Sequence, residues 1–520
     1  TLYNSGADAV QLTIVVKGNI YISDNIMYQN ASTGGLALIA IGQPWLAVTS
    51  VLALLLTLAI LAWPNLATMV VVFVLFTNAA VIAVKFHNVP SLVGGALPAL
   101  LVFPLTTYLI IRREKIIINP ILLPIFLFLA VQVIGTLFSE YVATAIDNIQ
   151  TFLLEGLGLF FLITNVVRTP KVLHRATWTL LIAGALIGGL SLYQQLTRTY
   201  DNNYWGFAQP SLAQFSTDPQ SLSGGETQWR LAGQIGEKNR YAQVMLMLVP
   251  LGMFRVWGER KLTMRVLAGM LTALIALGAV LAFSRGAAVG FVLMLAIMVF
   301  MRYIKIYQVA IIIVGLVLLL AAVPQYGQRL TSLQDLAGLF SDTADTSVAS
   351  SDGATRSRLT EMGAALYVFL DHPVLGVGPG LFPNYYQDYS ELVGLRTLNE
   401  DRQAHNLYLS IAAETGLLGI GCFLYILYVT LRNLARARKR WAKDQPEISN
   451  MATAYMLSIV TYLTTGLFLH FAFIRYFWLI MALAGAVLYL SERQEKAAAR
   501  AIEEQAAPTA RIAGDEALAR

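Results

Sequence analysis

Charged residues are scarce in this chain. Of its 520 residues only 13% are Asp, Glu, Lys or Arg, whereas 57% are hydrophobic, and the mean hydropathy is +0.63. A soluble globular domain carries roughly a quarter of charged residues. Together with repeated apolar runs of about 20 residues, this deficit predicts a polytopic membrane protein. It excludes a soluble multidomain enzyme, because the helices have no polar faces.

Cysteine is almost absent as well. Cys422 is the one cysteine and lies inside an apolar run, so the chain has neither a disulfide framework nor a thiolate metal site. The five histidines are dispersed and no His-Glu-x-x-His motif occurs, so the residues predict no metal and no cofactor. The start of the chain lacks a basic segment followed by an apolar core, and we expect no cleavable signal peptide.

The apolar runs predict an all-α fold with about 12–13 transmembrane helices. They lie at residues 45–62, 66–85, 91–111, 117–138, 146–167, 176–196, 239–257, 265–283, 286–301, 306–323, 404–431, 451–471 and 474–491. No internal repeat of the kind found in many secondary transporters is visible, which disfavours a carrier.

Basic clusters predict how the helices are oriented. They occur in every second short connection from residue 112 onward, at residues 112–115, 168–175, 255–265, 302–305 and 432–443. Because Lys and Arg are retained on the cytoplasmic side, these connections should face the cytoplasm. The net charge of +6 arises from them and does not indicate nucleic-acid binding. The two long loops, at about 197–238 and 324–403, then fall on the outer side.

The same pattern divides the chain into five parts. A polar N-terminal segment, residues 1–35, has no role that we can assign, and the transmembrane helices of residues 36–323 follow it. Residues 324–403 form a large outer loop with short helices, residues 404–491 the last transmembrane helices, and residues 492–520 a charged cytoplasmic tail.

Several basic residues on the outer side are candidates for binding an anion. Arg285 lies between two apolar runs, where an Arg is costly unless it snorkels or pairs. It could cap the end of the preceding helix, or it could aim its guanidinium at a phosphate. Further candidates of the same kind, each of which could also be a solvated surface charge, are Arg356, Arg358, Lys238, Arg240 and, more weakly, Arg230.

His405 is the candidate for proton transfer. It lies where the long polar loop ends and an apolar helix begins, in the run Gln-Ala-His-Asn-Leu-Tyr-Leu at 403–409. At the first turn of a helix the positive end of the dipole disfavours the imidazolium form, and a neutral imidazole is what a general base needs. Glu400 and Asp401 are close enough in sequence to orient the ring. The alternative is a histidine that merely caps the helix.

A Pro- and Gly-rich stretch, residues 371–380, predicts a helix break and a tight turn. Its sequence is Asp-His-Pro-Val-Leu-Gly-Val-Gly-Pro-Gly, and we interpret His372 as a turn residue. The glycine spacing does not have the strand and helix that a dinucleotide-binding fingerprint requires.

These motifs resemble the O-antigen ligase and polymerase superfamily. The residues that carry the resemblance are Ser284-Arg285-Gly286, Arg358, His372 to Gly380, His405 to Leu409 with Tyr408, and Glu414-Thr415-Gly416-Leu417-Leu418-Gly419, over about 230–430. The resemblance implies a GT-C-like, metal-independent glycosyltransferase in the bacterial inner membrane that works on the periplasmic face. It also implies a donor glycan on undecaprenyl pyrophosphate and an acceptor sugar hydroxyl, on lipid A core for a ligase.

Site roles follow from the same resemblance. Arg285 and Arg358 would hold the donor pyrophosphate, and His405 would take the proton of the acceptor hydroxyl, giving inversion. Arg356, Lys238, Arg240, Arg230 and Tyr408 would contact the substrates, with Arg356 as a possible replacement for Arg358. Three alternatives stay open: a polymerase that joins glycan repeat units by the same chemistry, a transporter or flippase of a lipid-linked anion, which needs no base, and a protein-O-glycosylating relative, which differs only in the acceptor.

Overall fold

Helices make up nearly all regular structure in the part of the chain that is described. The computed structural model describes residue 59 and residues 63–518 except 96, 216–225, 311–313, 315–352 and 395–401. Within that part seven helices are long and apolar enough to cross a membrane, or eight if one bent pair counts as a span. The prediction of an all-α polytopic membrane protein is confirmed. Residues 1–35 lie outside the described residues.

The helices and strands are named in chain order. The α-helices are α1 Pro64–Thr77, α2 Ala79–His87, α3 Ser91–Gly95, α4 Val102–Thr106, α5 Leu122–Leu137, α6 Val142–Thr151, α7 Leu159–Val166, α8 Pro170–Thr197, α9 Lys238–Gly258, α10 Leu262–Leu281, α11 Arg285–Phe300, α12 Gly353–Asp371, α13 Phe382–Val393, α14 Leu407–Trp441, α15 Pro446–Thr465 and α16 Ile474–Leu518. The strands, which pair antiparallel, are β1 Pro210–Phe215 and β2 Glu226–Leu231.

Two predicted spans are interrupted. The run 66–85 forms α1 and α2, which are bent by 57° at Asn78. Asn78 has a φ of 60°, a conformation that Asn tolerates better than most residues, and its Nδ2 donates to the carbonyl of Gln234 at 3.0 Å. The run 91–111 breaks into short helical pieces, since Pro98 and Pro104 remove backbone donors. The predicted spans 45–62 and 306–323 lie largely outside the described residues.

The centre of the bundle is formed by α9, α15 and α16. The membrane-spanning parts of these helices are 78%, 78% and 83% buried, whereas α10 is 28% buried and exposes apolar side chains such as Leu262 and Met270. In a membrane this difference separates helices packed within the protein from a helix at the lipid-facing surface.

The basic connections lie together at one end of the bundle. Contacts that join them are Arg168 to Glu114 at 3.1 Å, His174 to Glu259 at 3.4 Å, Arg438 to the Tyr303 hydroxyl at 3.2 Å, and Trp441 to Ser491 at 2.8 Å. The alternation of basic clusters along the chain therefore corresponds to one face of the protein, as the orientation rule requires.

At the opposite end, α12 and α13 pack on the bundle. Their buried side chains, among them Ala364, Val368 and Phe382, form an apolar cluster with Ala145 at α6 and Ala413 in α14. The described part of the predicted outer loop therefore contains short helices with a core of their own.

The Pro- and Gly-rich stretch 371–380 pairs with a break in α14. Gly416 leaves the helical conformation, with a φ of 63° and a ψ of −167°. The backbone groups freed there bond to residues 373–378: Leu417 N to the carbonyl of Pro373 at 2.7 Å and Val377 N to the carbonyl of Ala413 at 3.0 Å. The Glu414 carboxylate accepts hydrogen bonds from the backbone of Gly380 and Phe382 at the start of α13. His372 is exposed in this turn, as predicted.

Candidate functional site

His405 lies just outside α14. The helix begins at Leu407 with Asn406 as its N-cap, and the Asn406 Oδ1 accepts from the backbone N of Tyr408 and of Leu409, each at 3.0 Å. Asn is a preferred N-cap residue, so Asn406 and not His405 caps the helix, which begins three residues after its predicted start at 404. His405 is therefore not in the first turn, and its φ of 47° turns the chain into the helix.

The imidazole of His405 is held from its Nδ1 side. Nδ1 lies 2.6 Å from the Glu361 Oε2 and 3.1 Å from the carbonyl oxygen of Gln403. The hydrogen bond of Nδ1 goes to the Gln403 carbonyl, whereas Glu361 Oε2 has no hydrogen bond in the described residues and meets the ring as a close charge contact. With two oxygens against Nδ1, the proton is favoured on this nitrogen, and the basic lone pair of the neutral ring is then on Nε2. The side chain of His405 is 25% exposed, so one edge of the ring can meet a substrate.

Glu361, which no sequence motif indicated, is the carboxylate at this histidine. It lies in α12 with a side chain 1% exposed, and its Oε1 accepts from the Ser357 hydroxyl at 3.2 Å. Arg402 Nη1 is 3.8 Å from the same oxygen. The predicted partners Glu400 and Asp401 lie outside the described residues. The available signal was an acid in the middle of α12, followed by a mostly apolar stretch, but 44 positions separate it from His405.

A second histidine flanks the first. The ring of His470 lies 5.9 Å from that of His405, nearly edge-on, and its Nδ1 is buried without a hydrogen-bond partner in the described part of the chain. Burial, assisted by the positive charge of Arg240 and by the neighbouring His405 ring, holds the pKa of His470 well below its usual range. His470 is therefore neutral and adds no positive charge beside His405.

Arg240, one of the predicted binding residues, is buried beneath these histidines. It lies in the first turn of α9 with 1% of its surface exposed, and its Nη1 donates to Gln243 Oε1 at 3.1 Å. Its Nε is buried without a hydrogen-bond partner, and no acidic side chain forms an ion pair with it in the described residues. A buried cation left in this way favours binding of an anion nearby.

Arg285 is the first residue of α11. The N-cap of that helix is Ser284, whose hydroxyl accepts from the backbone N of Ala287 at 3.4 Å. The carbonyls that close α10 are instead bonded by Arg230: its Nε donates to Ala282 at 2.9 Å and its Nη2 to Phe283 at 2.8 Å. Arg230 is 4% exposed, so it positions the Arg285 turn from within.

Arg356 and Arg358 both lie near the start of α12, but on different faces. With about 100° per residue, Arg358 is about 60° from Glu361 around the helix, and Arg356 about 140°. Both are partly buried. Arg358 thus shares a face with the carboxylate that contacts His405, which supports the choice of Arg358 over Arg356.

Two further predicted residues are placed as follows. Lys238 is the first residue of α9 and partly buried. Tyr408 donates its hydroxyl to the carbonyl of Leu463 at 3.1 Å, a bond that ties α14 to α15. The Tyr408 hydroxyl is thus engaged within the protein, although its ring is partly exposed.

The connection between α15 and α16 brings these groups together. Asn406 Nδ2 donates to the carbonyl of Leu467 at 3.1 Å, Gly286 packs against Phe468, and His470 follows two residues later. His405, Arg285 and Arg240 therefore surround residues 466–470. Residue 475 is at the start of α16, next to this connection, and residue 493 lies beside Ser491, which contacts Trp441 among the basic connections. The two residues are about 27 Å apart along the helix axis. The site therefore lies at the end opposite the basic connections.

Among the described residues, no group of three or more His, Cys, Asp or Glu side chains is arranged to hold a metal ion. The site is instead a histidine–carboxylate pair with several guanidinium groups around it. Such a site can accept a proton and stabilise negative charge.

A comparison with protein families identifies this region. Residues 270–424, just under a third of the chain, match the family model described as O-antigen ligase. The match spans Arg285, Arg358, Glu361 and His405, and it confirms the resemblance to the O-antigen ligase and polymerase superfamily. A search of curated proteins found no match.

Proposed function

We propose that this multi-pass membrane protein is a glycosyltransferase that moves a glycan from undecaprenyl pyrophosphate to a sugar hydroxyl, most simply in O-antigen ligation to lipid A core. The O-antigen ligase domain at 270–424 supports a ligase- or polymerase-type function in general. The observation that carries the mechanism is the 2.6 Å contact between His405 Nδ1 and Glu361, which leaves Nε2 as the basic atom.

In the proposed reaction, the acceptor hydroxyl oxygen forms a bond to the anomeric carbon of the donor sugar. The bond from that carbon to the pyrophosphate oxygen breaks, and its electron pair leaves with the pyrophosphate. His405 Nε2 takes the hydroxyl proton. Attack from the face opposite the leaving group inverts the anomeric centre, and no metal ion is needed for any of these steps.

Negative charge grows on the pyrophosphate as the bond breaks, and cations placed there lower the barrier. Arg285 and Arg358 are proposed to hold the pyrophosphate, since guanidinium groups bind phosphate oxygens in pairs. Arg240 would add positive charge from a buried position next to the site, because it has no ion pair among the described residues. Lys238 and Arg356 would contact outer parts of the substrates, whereas Arg230 would act by positioning Arg285.

The site is proposed to face the periplasm from the bacterial inner membrane. Support comes from the basic connections, which lie together at the other end of the bundle and would be cytoplasmic by the positive-inside rule.

The test uses purified protein in detergent, an undecaprenyl-pyrophosphate glycan, a chelator, and either lipid A core or the glycan itself as acceptor. Transfer to lipid A core, read by gel shift, supports the ligase, and laddering of the glycan alone supports the polymerase. His405→Ala should lose transfer by at least about 10²-fold while still binding the donor. His87→Asn, at an exposed histidine, is the matched control.

A transporter or flippase makes a different prediction. It would use the same arginines to bind a lipid-linked anion, but it has no need of a base. Donor binding without transfer to either acceptor, or full function of the His405→Ala variant, would overturn the proposal.

A further inference from the structure

We infer that Glu361 is a positioning residue for the transfer reaction, one that fixes the tautomer of His405 and carries the counter-charge when the ring takes a proton. This inference rests on the proposed function. It assigns a role to a side chain in α12 that touches the base without touching the reacting atoms.

Burial makes an ionised Glu361 dependent on its close contacts. An ionised carboxylate with a 1% exposed side chain is costly unless close partners compensate it. Its three described partners differ in distance: Ser357 Oγ at 3.2 Å, Arg402 Nη1 at 3.8 Å and His405 Nδ1 at 2.6 Å. The shortest contact is to the histidine, so the negative charge of the carboxylate lies closest to the imidazole.

The contact determines which nitrogen can act. A proton on Nδ1 is donated to the Gln403 carbonyl at 3.1 Å, and it lies beside the negative Glu361 carboxylate, whose Oε2 is 2.6 Å away without a hydrogen bond in the described residues. The other tautomer would place two oxygen lone pairs against the lone pair of Nδ1, and it is therefore disfavoured. Glu361 thus keeps Nε2 unprotonated and available for the acceptor hydroxyl.

The contact also matters after proton transfer. When Nε2 gains the proton of the acceptor, the ring becomes a cation. Among the described residues, the charged or titratable groups in contact with the ring are Glu361 from α12 and His470 from the connection after α15; Arg402 lies beyond Glu361, and Arg240 from α9 acts on His470. Of these only Glu361 is negative. Without it the new cation would form beside a buried guanidinium and a neutral imidazole.

The experiment compares Glu361→Gln, Glu361→Asp and the control Glu391→Gln, an exposed acid on α13. The kcat and the donor KM are measured from about pH 5 to about pH 9, and melting temperatures establish that each variant is folded. Glu361→Gln should lower kcat by about 10²-fold or more while the donor KM changes less than about threefold. Glu361→Asp should recover part of the rate, and the control should match the wild type.

The pH profile separates positioning from a purely structural role. Removing the negative charge makes the protonated ring less stable, so the acid limb of kcat in Glu361→Gln should move to lower pH. A loss of kcat with an unmoved acid limb and no recovery in Glu361→Asp would overturn the inference. So would a kcat within about threefold of the wild type.

Failure of this inference differs from failure of the proposed function. If the wild type transfers no glycan, or if His405→Ala transfers as well as the wild type, the glycosyltransferase itself is disproved. If the wild type is active, His405→Ala is inactive and Glu361→Gln behaves like the control, only the role of Glu361 is disproved. In the double variant His405→Ala, Glu361→Gln the losses should not multiply, because both side chains act as one unit.

Discussion

The Cα of Gly416 lies directly against the carbonyl of Val374, so closely that a Cβ at Gly416 would overlap that group. The two residues belong to separate motifs, the Pro- and Gly-rich turn and the Glu-Thr-Gly-Leu-Leu-Gly run. Leu418 N, just beyond the break in α14, donates to the Val374 carbonyl at 3.3 Å. The two motifs are therefore halves of one backbone contact, which holds α12 and Glu361 against the start of α14.

Gly416→Ala should destabilise the protein by about 3 kcal/mol or more. The φ of 63° with a ψ of −167° is a region open to glycine, and the added methyl group also has to displace backbone. Gly421→Ala is the control: it lies in the same helix, its Cβ would meet nothing within 4 Å, and alanine is the better helix former. Thermal unfolding in detergent measures both. Equal melting temperatures for the two variants would contradict the account of the contact.

The two arginines of α12 should differ in their effect on catalysis. Arg358 shares the helix face of Glu361, whereas Arg356 points about 140° away from it. Arg358→Lys should therefore lower kcat/KM by about 10²-fold, because lysine lacks the paired donors that bind phosphate. Arg356→Lys should change it less than about fivefold. Steady-state kinetics with the lipid-linked donor measure kcat/KM for both variants. A larger loss in Arg356→Lys than in Arg358→Lys would make Arg356 the pyrophosphate ligand.

Arg230→Lys should reduce stability and donor binding together. The guanidinium bonds the carbonyls of Ala282 and Phe283, and lysine cannot reproduce both bonds from one buried position. We expect a loss of about 2–4 kcal/mol in unfolding free energy, since two buried carbonyls lose their donor. Donor affinity should fall because the Arg285 turn is no longer held. The exposed Arg198→Lys is the control. Weaker donor binding with unchanged stability would indicate direct contact instead.

Local patterns in the sequence predicted most of the described spans and indicated several candidate site residues, but not what brings distant segments together. Apolar runs located α9 to within one residue at each end, because the membrane selects for length and hydrophobicity, whereas α8 begins six residues before its predicted run and α14 ends ten residues after its run. Arg285 and His405 stood out because charge is rare near apolar runs. Glu361 could not be assigned, since its partner lies 44 residues away across the 371–380 turn. The bend at Asn78 also depends on a distant residue, the carbonyl of Gln234.

His470 should make stability depend on pH. Its folded pKa is lowered, chiefly by burial and then by Arg240 and His405, whereas in the unfolded chain it lies near 6.5. Between those two values the unfolded chain binds more protons than the folded one. Stability is therefore fully present above about pH 6.5 and is lost as the pH falls toward the folded value.

His470→Asn removes this titration, so its melting temperature should fall less than that of the wild type between about pH 7.5 and about pH 5. At the higher pH the variant can be less stable than the wild type, because Asn fills the site less well. Its melting temperature should nevertheless depend less steeply on pH. His87→Asn, at an exposed histidine, should keep the wild-type slope. If His470→Asn also keeps it, then His470 is not held neutral in the folded protein. The His405 ring would then face a second cation, and the step that most depends on Glu361 would have to be reconsidered.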